Sequence, residues 1–152
     1  MKLFVDADSC PVRIREIIGK TAYRLRAEAV FVANRLIAIP KNAFCTSVIT
    51  SAEPQAADSY IIAHAAPGDL VITRDIPLAK LLIDAHVCVI NDRGAVYTAE
   101  NIGERLSVRN FMYDLHSNGL LPERSNVFGK KDIAAFAQAL DKQTQRLIHN
   151  SF

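Results

Sequence analysis

The chain has 152 residues, half of them hydrophobic, and a formal net charge of +2 at pH 7, which allows a nucleic-acid partner without pointing to one. This length and composition predict a single domain over residues 1–152, and the widely spaced Cys10, Cys45 and Cys88 argue against a disulfide framework or a cysteine-based zinc site. No apolar run has the length of a signal peptide core or a membrane span, so we expect a cytoplasmic protein without a membrane partner.

Short apolar runs alternate with helical patterns along the chain. The apolar runs predict strands over residues 3–5, 29–33, 45–50, 69–73 and 87–90. Apolar residues at helical spacing predict helices over residues 12–25, 54–66, 77–85, 99–117 and 131–149. Residues 36–43 are ambiguous, because Pro40 disfavours a central strand, and residues 118–130 are predicted to form a loop. The alternation predicts a three-layer α/β/α fold with a mainly parallel sheet, on which the two C-terminal helices also pack.

Aspartates follow several of the predicted strands. Asp6 and Asp8 come after the first strand, Asp75 and Asp92 come after the strands LVIT and VCVI, and Asp58 lies near the start of a helix. Strand carboxyl ends and the following helix N-termini share one edge of a parallel sheet, so we expect these carboxylates to lie close together. Each has an alternative interpretation as a helix cap or turn residue, but such roles do not explain their common edge. A cluster of carboxylates stays ionised when a cation lies between its members, and oxygen ligands suit Mg²⁺ or Mn²⁺.

Two sequence segments carry a resemblance to a known family. The segments are DADSCPV at residues 6–12 and GDLVITRDIPLA at residues 68–79. Together with VAN at 32–34, AD at 57–58, NDRG at 91–94 and the helix that contains RNFM at 109–112, they resemble the YaiI/YqxD family of uncharacterised bacterial proteins. The resemblance covers nearly the whole chain.

That family is similar to PIN-like (NYN-type) domains, and the similarity has consequences for fold and function. It implies a parallel sheet between helices and an acidic set that binds divalent metal in nucleases. Carried over position by position, the acidic set falls on Asp6, Asp58, Asp75 and Asp92, with Asp8 as a fifth metal ligand. PIN-like nucleases often place a glutamate in a central helix, where this chain has the shorter Asp58. The similarity also implies pairing of two copies of the chain.

A second candidate set consists of cationic residues near the same edge of the predicted sheet or on one face of the helix over 99–117. We expect this set to bind the phosphates of a nucleic acid, RNA rather than DNA. The alternative interpretation is a solvated surface with ordinary salt bridges. The set comprises Arg13, Arg35, Lys41, Arg74, Arg93, Arg105 and Arg109.

Three functions are compatible with these residues. The first is a nuclease in which the aspartates hold Mg²⁺ or Mn²⁺, which activates water for attack on phosphorus. The second is a phosphatase of the haloacid-dehalogenase type, with Asp6 as nucleophile and Asp8 as acid, although Cys10 stands where threonine or valine is usual in that class. The third is a non-catalytic module that binds nucleic acid or a protein partner.

Overall fold

The computed structural model describes residues 1–119 and 128–150. Within these residues the strands are β1 Leu3–Asp6, β2 Ala29–Ala33, β3 Cys45–Ile49, β4 Leu70–Ile72, β5 Cys88–Ile90 and β6 Val96–Tyr97. The helices are α1 Val12–Leu25, α2 Ala56–His64, α3 Ile76–Asp84, α4 Ile102–Ser117 and α5 Lys130–Asn150. A single 3₁₀ turn, Ala7–Ser9, joins β1 to the segment before α1.

The described strands form one sheet in the order β3-β2-β1-β4-β5-β6. Strands β1 to β5 run parallel to one another, and β6 runs antiparallel to β5. Val5 of β1 lies between Phe31 of β2 and Ile72 of β4, so the centre of the sheet is built from three apolar strands. The prediction of a mainly parallel sheet is confirmed.

Helices cover both faces of the sheet, as the alternation of strand side chains requires. Leu3 and Val5 point to the face covered by α1 and α5, whereas Phe4 points to the face covered by α2, α3 and the start of α4. Phe136 of α5 and Ile61 of α2 are fully buried on opposite sides. The predicted three-layer α/β/α fold is therefore confirmed.

The element boundaries differ from the prediction mainly at helix starts. Helix α1 and strand β2 match the predicted residues, whereas α2 begins at Ala56 and α4 begins at Ile102, each a few residues later than expected. The ambiguous residues 36–43 form neither helix nor strand. The predicted loop over 118–130 lies largely outside the described residues, and α5 already begins at Lys130. Among the helices described, none combines the length and apolar character needed to cross a membrane.

Candidate functional site

The strand order places a crevice at the carboxyl ends of β1 and β4. From β1 the chain moves outward to β2 and β3, and it then returns to the opposite side of β1 to form β4. Loops leaving β1 and β4 therefore diverge, which is where open α/β sheets bind ligands. A cavity of about 700 Å³ opens at this point. Its walls carry five acidic side chains, Asp6, Asp8, Glu53, Asp58 and Asp75, and three arginines, Arg35, Arg74 and Arg109.

The buried hydroxyl of Thr73 joins the ends of β1 and β4. Thr73 Oγ1 donates a hydrogen bond of 2.8 Å to Asp6 Oδ2 and accepts one of 3.0 Å from the backbone N–H of Asp75. Asp75 in turn caps α3, because its Oδ1 accepts a hydrogen bond of 3.0 Å from the backbone N–H of Leu78. Asp75 is thus both a helix cap and a wall of the cavity. Both interpretations of Asp75 from the sequence, as a helix cap and as a member of the carboxylate cluster, therefore apply.

Burial and mutual repulsion oppose ionisation of two of the carboxyl groups. Burial raises the pKa of Asp6 above its usual value of 3.8, although the hydrogen bond from Thr73 opposes this effect. Burial, together with the nearby charges of Asp75 and Asp6, raises the pKa of Asp58 from 3.8 to about 6. Asp58 therefore points into the cluster, despite its short side chain.

Asp8 occupies the rim of the cavity, next to the end of β2. Its Oδ2 accepts a hydrogen bond of 3.0 Å from the backbone N–H of Asn34, and Arg35 Nε lies 3.5 Å from its Oδ1. Among the described residues, this Oδ1 atom is buried yet accepts no hydrogen bond. Residues after β2 thus contact both oxygens of the Asp8 carboxylate, and its Oδ1 can still accept a hydrogen bond.

Asp92 lies below the cavity and not on its wall, in contrast to the expected cluster. Its side chain is 3% exposed, and its Oδ2 accepts a hydrogen bond of 2.6 Å from Nε of Arg74. This guanidinium pairs with the buried carboxylate, so the structure offers Asp92 a partner other than a metal ion. Arg74 reaches the cavity wall from there. The structure therefore gives Asp92 a positioning contact with a cavity arginine.

The predicted cations separate into two groups. Arg35, Arg74 and Arg109 line the cavity, and Arg105 lines a second cleft beside it. The other three do not reach the cavity wall. Arg13 pairs with Glu16 on the exposed surface of α1, Lys41 lies beside α1 at residues 16–23, and Arg93 pairs with Asp132 of α5 at 3.0 Å.

Two wall residues, Asn34 and Glu53, are absent from the predicted site set. Glu53 lies three residues before the start of α2, and its place at the edge to which helix N-termini point was the available sequence signal. Asn34 follows β2 directly and was marked by the same edge. In the described part of the chain, no group of three or more histidine, cysteine, aspartate or glutamate side chains is arranged closely enough to hold a metal ion. The carboxylates form a close pair, Asp58 and Asp75, with Asp6 beside it.

Comparison with known proteins gives a family but no activity. The family described as "Uncharacterized BCR, YaiI/YqxD family" matches residues 4–146. A UPF0178 protein of Treponema pallidum is 56% identical over 148 residues, which cover 97% of this chain and 84% of that protein. A UPF0178 protein of Syntrophobacter fumaroxidans is 49% identical over 143 residues, which cover 94% of each chain. No solved structure gives a significant match. The resemblance carried by the sequence motifs is confirmed, and the chain belongs to the YaiI/YqxD family.

Proposed function

We propose that this protein is a Mg²⁺- or Mn²⁺-dependent nuclease that hydrolyses phosphodiester bonds in RNA in the bacterial cytoplasm. One observation carries the proposal: Asp6, Asp58 and Asp75 meet in a cavity that arginines also line. Carboxylates that repel one another gain from a bound cation, and arginines on the same wall gain from a phosphate. A site with both features fits the metal complex of a phosphodiester. A PIN-like assignment is part of the same proposal.

The oxygen atoms of the cavity fit a hard divalent cation. Mg²⁺ is commonly held by one or two carboxylates, with water and substrate phosphate completing the octahedron, so a closed set of protein ligands is not required. Asp6 uses one oxygen for Thr73, and Asp75 uses one for Leu78, which leaves one oxygen of each available. These two residues would hold the metal, and Asp58 lies beside them on the cavity wall. When bound, it would supply Lewis-acid activation of water and neutralise charge at the phosphate.

Side chains of the protein bind the phosphate and accept the proton of the attacking water. Arg74, oriented by buried Asp92, and Arg109 bind non-bridging phosphate oxygens at the cavity wall. Asp58, which lines the same cavity, accepts the proton of the attacking water at its carboxylate and releases it to solvent.

The proposal is tested by combining a binding measurement with a cleavage measurement. Mn²⁺ is titrated calorimetrically into the wild type, Asp6→Asn and Asp58→Asn, and the same proteins are incubated with labelled RNA or DNA. Both variants should lose about tenfold or more in Mn²⁺ affinity and lose cleavage of RNA. The control is Asp84→Asn at the opposite end of α3, where an exposed aspartate pairs with Lys80. It should behave like the wild type.

Other outcomes would support one of the two alternative functions. Cleavage that persists at the wild-type rate in Asp6→Asn would refute the proposal. Turnover of a small phosphate ester with phosphate trapped on Asp6 would identify the haloacid-dehalogenase-type phosphatase. Metal-independent RNA binding that is unchanged in Asp6→Asn, without cleavage, would identify a non-catalytic binding module.

A further inference from the structure

A second cleft adjoins the carboxylate cavity along helix α4. Its volume is about 580 Å³, and it shares Ile76 and Arg109 with the first cavity. The two cavities are therefore neighbours on one continuous surface. The remaining lining residues of the cleft are Asn101, Glu104, Arg105, Val108 and Met112.

The cleft has apolar walls that no described residue covers. Val108 is 54% exposed and Met112 is 43% exposed, although both are large apolar side chains on a helix that packs against α3. Ile76 continues this apolar surface toward the carboxylate cavity. Exposed apolar side chains that form a contiguous surface mark binding sites more often than isolated ones do. A flat apolar group fits such a surface.

Two arginines give the cleft its charge. Arg105 and Arg109 lie four residues apart on α4, where like charges destabilise a helix, and in the described parts of the chain neither forms an ion pair with a carboxylate. The Arg105 guanidinium lies 5.3 Å from the ring of Tyr97, and that of Arg109 lies 5.2 Å from the ring of Tyr113. Aromatic contacts orient both cations without neutralising them. The cleft therefore combines apolar surface with two guanidinium groups that pair with no carboxylate among the described residues. Arg109 Nη1 also donates a hydrogen bond of 3.1 Å to Asn110 Oδ1, and Glu104 lines the same cleft.

We infer that the cleft binds an unpaired nucleobase adjacent to the phosphate held in the carboxylate cavity, so that the substrate is single-stranded. The inference rests on the proposed function, because it assigns the neighbouring base of the same substrate. Ile76, Val108 and Met112 contact the face of the base. Arg109, which belongs to both cavities, lies where the base joins its phosphate. A base within a duplex is stacked on both sides and does not reach such a cleft.

The test measures binding in EDTA, so that no cleavage takes place. A fluorescent single-stranded RNA of about ten nucleotides is titrated at low salt with the wild type, Val108→Asp and the control Leu81→Asp. Leu81 is 55% exposed on α3 and lines neither cavity, so its substitution matches that of Val108 in exposure and charge. A second RNA of the same length carries abasic residues in place of several bases. Light scattering gives the oligomeric state of each protein.

Val108→Asp should weaken binding of the intact strand about fivefold or more, as loss of a base contact does, whereas Leu81→Asp should bind as the wild type does. The loss should be smaller for the abasic strand, because only charge repulsion by the new aspartate remains. Equal binding of intact and abasic strands by the wild type would overturn the inference. So would a dimer that Val108→Asp converts to a monomer, since the face would then join two copies. If Val108→Asp weakens RNA binding but the wild type does not cleave RNA in Mn²⁺, the proposed nuclease activity would be refuted. The assignment of the cleft to a nucleobase would then stand.

Discussion

Replacement of Asp58 by asparagine should stabilise the metal-free protein at neutral and alkaline pH. The pKa of Asp58 rises from 3.8 to about 6 on folding, a difference worth roughly 3 kcal/mol when the group is fully ionised. Partial solvent exposure reduces the free-energy cost of ionising Asp58 to about 2 kcal/mol. Loss of a negative charge in the first turn of α2 costs about 0.3–1 kcal/mol, because the helix dipole favours that charge. We therefore expect a net gain of about 1 kcal/mol.

The gain should depend on pH with a definite sign. Between 3.8 and about 6 the folded state binds more protons at Asp58 than the unfolded state does, so the free energy of unfolding of the wild type falls as pH rises through this window. Asp58→Asn lacks the carboxyl group that causes this pH dependence. Its advantage should therefore be complete near pH 8 and disappear near pH 4.

Urea unfolding in EDTA, followed by circular dichroism at several pH values, measures this difference. Asp84→Asn serves as the control, because its carboxylate is exposed and pairs with Lys80, and it should be slightly destabilising at neutral pH. Equal stability of Asp58→Asn and the wild type near pH 8, or a gain that is independent of pH, would refute the account of the carboxylate pair.

Two further predictions concern residues around the site, and both are measured by urea unfolding. Arg74→Ala leaves the carboxylate of Asp92 buried and unpaired, which should cost about 3 kcal/mol. Arg35→Ala removes a guanidinium that is 69% exposed and lies 3.5 Å from a partly exposed carboxylate, so it should cost less than about 1 kcal/mol. Similar losses for both would contradict the assignment of Asp92 to Arg74. Gly94→Ala should cost about 2 kcal/mol or more, because Gly94 has φ +86° and a Cβ atom would lie 2.5 Å from the carbonyl oxygen of Ala135. Wild-type stability in this variant would show that the turn and α5 are not packed so closely.

Local sequence patterns were sufficient for much of the fold. Helix α1 and strand β2 depend on their own periodicity and on buried apolar runs, so their limits could be read from the chain. Strand β6 has only two residues and is defined by its pairing with β5, a long-range contact that no local pattern records. Helices α2 and α4 start later than predicted, because the loop residues before them have a composition that is also compatible with a helix. Strand β6 and the first residues of α2 and α4 are therefore determined by tertiary packing.

The candidate site was predictable in its location but not in its internal pairing. The rule that parallel strands deliver side chains to one edge placed Asp6, Asp58 and Asp75 together. The same rule could not show that Arg74 would neutralise Asp92, because that pairing depends on how two adjacent loops pack in three dimensions. Lys41 was also assigned by its nearness in sequence to a strand end, and the path of the intervening loop carries it elsewhere.

The contact between α5 and the turn after β5 connects the last helix of the chain to the candidate site. Arg93 in that turn pairs with Asp132 of α5, and the neighbouring residue of the turn, Asp92, fixes Arg74 at the cavity wall. The aspartates of the cavity all lie within the first 75 residues, whereas α5 begins at Lys130. Arg35 and Arg74 stand in the same stretch of sequence as these aspartates, but the turn that orients Arg74 is held from the far end of the chain. The placement of a cavity cation therefore depends on a helix of which no described residue lines the cavity.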